Sequence, residues 1–135
     1  VEQAKGVGGP RYYEDFGDRV RRIRDDLVTL LGRLKLEGRS IAAYGASAKG
    51  STLLNYYGLG PELLDFVADR STAKQGRFTP GTHLPIVAAD ELARRRPDYA
   101  LLLTWNFAEE ILRQQQAYRE AGGRFIVPLP EVRVL

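Results

Sequence analysis

The spacing of apolar positions changes several times along the chain, and each change marks an element. From Tyr12 to about Glu37, the residues Phe16, Val20, Ile23, Leu27, Leu30, Leu31 and Leu34 recur at three- and four-residue steps. Arg21, Arg22, Arg24, Asp25 and Asp26 fill the intervals. This predicts a long amphipathic helix with one apolar stripe, stopped at Gly38. The stripe suits the domain's own sheet or a neighbour's surface. Ser40–Tyr44 then forms a short run whose apolar residues do not alternate, as in a strand covered on both faces. Ala48–Tyr57 returns to helical spacing through Leu53, Leu54 and Tyr57. Leu63–Ala68 reads as a second buried strand ending at Asp69, and Ile86-Val87 as a short one. Ala89–Arg96 is a helix stopped by Pro97, and Tyr99–Leu103 a third long buried strand. A helix follows from Phe107 to about Ala121. Arg124–Val127 is the last strand, and Pro128, Leu129 and Pro130 leave the sheet.

Strands alternating with helices at this spacing give an α/β fold. The expected architecture is a Rossmann-like three-layer sandwich with a long N-terminal helix. Its parallel sheet has about five strands in the order 3-2-1-4-5, joined by right-handed crossovers. Residues 1–10 carry Gly6, Gly8, Gly9 and Pro10 and read as a linker, which leaves 11–135 as the domain. In this order the strand before Trp105 lies beside the strand before Gly45. The connection direction reverses between them, so the crevice above their C-terminal ends is the expected ligand site.

The residues converging there have a common chemistry. Gly45-Ala-Ser-Ala-Lys-Gly50 is a turn feeding a helix from a buried strand. Such a turn points backbone N–H groups and the positive end of a helix dipole at an anion, usually a phosphate. Lys49 adds a mobile charge. The spacing is that of the dinucleotide fingerprint, with Gly45 and Gly50 in place and Ser47 at the middle glycine. It is not a Walker A loop, because Lys49 precedes Gly50. A tight turn of small residues for packing alone is the alternative. Asp69 stands 24 positions after Gly45, where an acid bonds ribose hydroxyls in dinucleotide folds, or where it simply caps the turn after its strand. The loop Arg70–Pro85 is long for a compact domain and holds Lys74, Arg77 and His83. Lys74 and Arg77 suit the same charge or a solvated surface, and His83 suits a loop anchor. Trp105 suits stacking on a base or sugar, or core packing. Asn106 suits orienting a ligand or capping the next helix.

Composition narrows the choice. At 135 residues the chain can bury a core of its own. With no cysteine and one histidine, cysteine-ligated metals and histidine-rich sites are excluded. A net charge of +3 sits mostly in Arg-rich helices with no aromatic-interleaved basic ribbon, so nucleic acid is not an expected partner. No apolar run approaches the ~20 residues of a membrane span, and the start has no signal-peptide pattern. A cytoplasmic location is expected. The chain contains no methionine, as suits a piece excised from a longer protein or a start whose Met has been trimmed.

Several stretches together resemble one family. They are Tyr44-Gly-Ala-Ser-Ala-Lys-Gly-Ser-Thr-Leu-Leu-Asn55, Asp69, Lys74-Gln-Gly-Arg-Phe-Thr-Pro-Gly-Thr-His-Leu-Pro-Ile86, Pro97-Asp-Tyr99 and Thr104-Trp-Asn-Phe-Ala-Glu-Glu-Ile111. The likeness is to the C-terminal domain of SAM-dependent sugar-nucleotide C-methyltransferases, including those acting at C-3 of dTDP-linked deoxysugars. It covers nearly all of the chain after Gly38. The resemblance implies a parent protein with a cysteine-rich zinc domain and a SAM-binding methyltransferase domain ahead of this one. SAM, zinc and the proton-abstracting residues would then lie outside this chain, with no cofactor, metal or catalytic residue here. The partners implied are the sugar nucleotide and the SAM-binding domain of the same chain, with a homodimer as a further option. The residues assigned to substrate are Gly45, Ala46, Ser47, Lys49, Gly50, Asp69, Lys74, Arg77, His83, Trp105 and Asn106. Two other functions compete. One is a free-standing NAD- or CoA-type binding module, which Ser47 disfavours. The other is a structural or dimerising domain using the Phe16–Leu34 stripe.

Overall fold

A computed structural model describes residues 10–129 and 131–135, with side chains from residue 17 onward. Most of the expected linker, and the contributions of Tyr12 and Phe16 to the stripe, lie outside the described part. The elements are α1 (Pro10–Leu36), β1 (Ile41–Tyr44), α2 (Ala48–Tyr57), β2 (Val67–Asp69), β3 (Ile86–Ala88), α3 (Glu91–Arg95), β4 (Tyr99–Leu102), α4 (Ala108–Gln114), α5 (Gln116–Glu120), β5 (Arg124–Val127) and β6 (Arg133–Val134). The sheet order is β3-β2-β1-β4-β5-β6, and the first five strands are parallel.

Alternate residues of each central strand feed two cores. Ile41 and Ala43 of β1, Leu101 of β4 and Ile126 of β5 meet α1 and α2 through Leu27, Leu31, Leu34, Leu53 and Leu54. Ala42, Tyr44, Ala100, Leu102, Phe125 and Val127 meet α3, α4 and α5 through Leu92, Ile111 and Tyr118. The continuous apolar runs of β1 and β4 are therefore the signature of a sheet covered on both faces. The α1 stripe lies on the domain's own sheet. Ile23, Leu27, Leu31 and Leu34 are buried, and each contributes about 1.5–3 kcal/mol by leaving water. This part of the stripe is not available as a dimer contact. Gly38 closes α1 with φ 84° and bonds from its own amide and that of Arg39 to Lys35 and Leu34.

The structure corrects five expectations. α1 begins at Pro10, a residue pre-set for the first helical position. The strand expected from Leu63 starts only at Val67, because the Leu63 and Leu64 amides turn back to Gly60 O. Leu64 is fully buried all the same, so its apolarity served the core and not a strand. The helix expected over 107–121 is broken into a 3-10 turn (Trp105–Phe107), α4 and α5, with Gln115 between the two helices. The helix expected over 89–96 is a single turn, Glu91–Arg95. After Pro130 the chain returns as β6, antiparallel to β5 with Ile126 opposite Val134, so the sheet has six strands. The Arg70–Pro85 loop also has internal order. Phe78 bridges Pro85, Gly76 donates to Ile86 O and Ile86 to Arg77 O, which makes a small hairpin. Among the described residues no helix is long and apolar enough to cross a membrane.

Candidate functional site

β1 delivers Gly45 to the lip of the sheet at φ 98°, and a Cβ there would stand 2.7 Å from Thr104 Oγ1. Only glycine combines that backbone with that contact. The Gly45 amide continues the ladder to Ala68 O. Asp69, at the end of β2, then braces the turn from the side. Its Oδ2 accepts from the Ala46 amide and its Oδ1 from the Ser71 amide, each at 2.6 Å. Lys74 Nζ donates to Ala46 O at 2.8 Å. The loops after β1 and β2 are thus tied together at both the N–H and the C=O of Ala46.

Ser47 is the N-cap of α2, and its Oγ accepts from the Gly50 amide at 3.0 Å. The serine at the middle fingerprint position therefore ends the helix properly. Gly50 fills the role of the third fingerprint glycine. A Cβ on it would stand 2.7 Å from Leu103 Cβ, so its absence lets α2 press against β4. The first four amides of a helix have no partner inside it. Gly50 is satisfied by Ser47, while those of Ser47, Ala48 and Lys49 make no protein hydrogen bond among the described residues. These three, at the positive end of a ten-residue helix, form the anion-attracting part of the turn. Lys49 is exposed beside them and makes no ion pair among the described residues.

Two cavities lie near the turn, one beside the first turns of α2 and one at the Gly45–Thr104 contact. The first, of about 470 Å³, lies between α1, α2 and the Trp105 turn, with Val20, Lys49, Tyr56, Tyr57, Trp105 and Leu129 among its walls. It is apolar and aromatic apart from Lys49 and Thr52. The Tyr56 and Tyr57 rings are 5.4 Å apart, and burial, with Tyr56 as a second cause, raises the Tyr57 phenol above its ordinary pKa. The second, of about 270 Å³, lies on the α4 side between Tyr44, Asp69, Arg70, Thr104, Glu110 and Gln114. Thr104 Oγ1 and the Tyr44 hydroxyl are buried without a hydrogen-bond partner. Burial raises the Tyr44 phenol, and Gln115 lies close enough to oppose that in part without forming a bond of acceptable geometry. A larger cavity of about 530 Å³, among Arg113, Arg119 and Arg124, contains none of the turn residues.

The turn residues Gly45, Ala46, Ser47, Lys49 and Gly50 are thus assembled with Asp69, Lys74 and Trp105. Lys74 and Asp69 face the turn's backbone. Arg77 and His83 are exposed on the hairpin and border neither cavity. His83 adopts φ 59° and stacks on Phe78 with ring centroids 4.3 Å apart, which makes it a loop anchor. Asn106 is exposed and caps nothing. The positions starting the 3-10 turn and α4 are Thr104 and Phe107, neither with a side-chain cap bond. Sequence reasoning passed over Thr104, Phe107, Glu110 and Gln114. Their three- and four-residue spacing along one helix face was the available signal. Among the described residues no group of three or more His, Cys, Asp or Glu is placed to hold a metal ion.

Comparison with known proteins gives the family of the chain. The chain is 42% identical over 134 residues to the C-methyltransferase NovU of Streptomyces niveus, an alignment covering 99% of this chain and 32% of that protein. The chain therefore spans about a third of its relative's length. Residues 1–130 match the family described as the C-methyltransferase C-terminal domain, and the chain belongs to that family.

Proposed function

We propose that this domain binds the sugar-nucleotide substrate of a SAM-dependent C-methyltransferase, a nucleotide-linked ketosugar of the dTDP type. The methyl donor and the proton-abstracting residues belong to the rest of the parent protein. One observation carries the reading. Ala48, Lys49 and Trp105 line one cavity, and the unpaired amides of Ser47–Lys49 belong to the helix end that forms its wall. A base would lie against Trp105 and the tyrosines, and the diphosphate against the amides and Lys49. Zinc has no cysteine here to hold it. Asp69, which would receive a SAM or NAD ribose, already turns both oxygens to the Ala46 and Ser71 amides. That supports a nucleotide held by its phosphates and base over a free-standing dinucleotide module. In the whole enzyme, deprotonation beside the ketone and attack on the sulfonium methyl would occur above this lip. The domain would fix the substrate's distance and orientation.

Calorimetric titration of the chain with dTDP, NAD and SAM tests the proposal. dTDP should bind, NAD and SAM should not, and Lys49→Ala should weaken dTDP about tenfold, as loss of one charge-assisted contact does. Tighter binding of NAD than of dTDP would overturn it. So would failure of dTDP to protect the Ser47–Lys49 amides in the full-length enzyme.

A further inference from the structure

The second cavity belongs to no role described so far. We propose that it is a compartment for a neutral polyol ring of pyranose size, held between Thr104, Arg70, Glu110 and Gln114. This deepens the sugar-nucleotide reading and rests on it for the group that delivers the ring.

Size comes first. About 270 Å³ lies below the roughly 300–1,000 Å³ of pockets for drug-sized ligands, so the space suits a single ring better than a whole sugar nucleotide. Charge comes second. Arg70 is the only cation on the walls, against Glu110 and Asp69. A phosphate is therefore favoured on the Lys49 side and not here. Hydrogen bonding comes third. Glu110 accepts, Arg70 donates, and Gln114 and Thr104 do both. Ring hydroxyls, which also donate and accept, match that mixture. Phe107 and Ile111 border the same space and offer an apolar surface to the C–H face of a ring. The decisive feature is the pair of buried hydroxyls on Tyr44 and Thr104 without partners, an arrangement that is costly unless a guest completes it. The compartment adjoins the turn through Gly45, which it shares as a wall. A diphosphate on the Ser47–Lys49 amides would deliver its sugar across that glycine.

The test compares dTDP with a dTDP-hexose by calorimetry, and follows the Gln114 side-chain amide by NMR. Wild type is set against Thr104→Val and Gln114→Leu. Thr104→Val keeps the side chain's shape and removes only a buried unpaired hydroxyl, so folding is preserved. The hexose should add about tenfold in affinity, the worth of one or two hydrogen bonds. Both variants should abolish that increment while leaving dTDP affinity within about twofold. The Gln114 amide should shift with the hexose conjugate and not with dTDP. Equal affinities without a Gln114 shift would overturn the compartment and leave the nucleotide reading standing. A Gln114 shift with dTDP alone would overturn it too, by giving the space to the nucleotide. If dTDP fails to bind, glucose raised to molar concentration decides. A saturable Gln114 shift lost in Thr104→Val upholds the compartment while the nucleotide reading falls, and no shift overturns both.

Discussion

Two strand-to-helix turns stand side by side at the lip of the sheet, one after β1 and one after β4. The β1 turn is braced on both sides of Ala46 and at its helix cap, which leaves the Ser47–Lys49 amides free among the described residues. Asp69 and Lys74 hold the N–H and C=O of Ala46, and Ser47 caps α2. The β4 turn has little of this. Thr104 and Phe107 cap nothing, Thr104 Oγ1 has no partner, and Phe107 is 56% exposed. The difference separates two ways of building a site. A braced backbone presents amides already in place, which suits a charged group that must not wait for rearrangement. An under-satisfied turn presents side chains that become fully paired only when something occupies the space between them.

The largest effect should come from the point where the turns touch. Gly45→Ala forces a left-handed residue against Thr104 and should cost about 3 kcal/mol or more in denaturant unfolding, strain and overpacking together. Asn106→Ala on the β4 turn makes no described bond to lose and should stay within about 0.5 kcal/mol. Near-equal losses in the two variants would erase the distinction. Asp69→Asn comes next. Its amide must turn an NH₂ toward one of two backbone N–H groups now held by oxygen. We expect a loss of about 1–3 kcal/mol, with faster hydrogen exchange at Ala46 and Ser71. Unchanged exchange at Ala46 would mean that Asp69 does not brace the turn.

Much of this layout was legible in the sequence, for identifiable reasons. Buried strands read as unbroken apolar runs, so β1 and β4, the α1 stripe and the strand order followed from pattern and connection rules. The Gly45–Gly50 turn was legible because glycines mark where backbone must come close. The bracing was not, since Asp69 and Lys74 meet Ala46 across a gap of more than twenty residues. Leu63 and Leu64 misled because apolarity reports burial and not backbone geometry. The break at Gln115 was hidden by a continuous helical pattern through Ile111 and Tyr118. β6 was hidden because Arg133-Val134 is too short to show alternation.

A smaller effect comes from two buried tyrosines, one partnered and one not. Tyr118 donates to Pro97 O at 2.7 Å, whereas the Tyr44 hydroxyl has no partner. Tyr118→Phe should cost about 1 kcal/mol, and Tyr44→Phe should be neutral or stabilising in the free chain. Burial raises both phenols above the ordinary value near 10.0. The folded chain keeps these protons after the unfolded chain has lost them. The contribution of these two phenols to stability is thus constant below about pH 9 and falls as pH rises beyond 10. Each substitution should shallow that alkaline loss. A steeper loss in Tyr44→Phe would contradict the burial assigned to it.

The smallest change in stability is expected at Lys49, and it sharpens the comparison most. Lys49 is exposed on the first turn of α2 and unpaired among the described residues. Its positive charge sits at the positive end of the helix dipole, which is mildly unfavourable. Lys49→Ala should therefore leave unfolding within about 0.5 kcal/mol of wild type and can even raise it. Ser47→Ala, one step outside the same helix, should lose about 1 kcal/mol with its cap. If the braced turn is a platform for an anion, the two must divide differently in binding. Lys49→Ala loses affinity with stability intact, while Ser47→Ala loses stability first and affinity only through a frayed helix end. Equal loss of stability in both would make the turn a packing device, with its lysine no more than part of the surface.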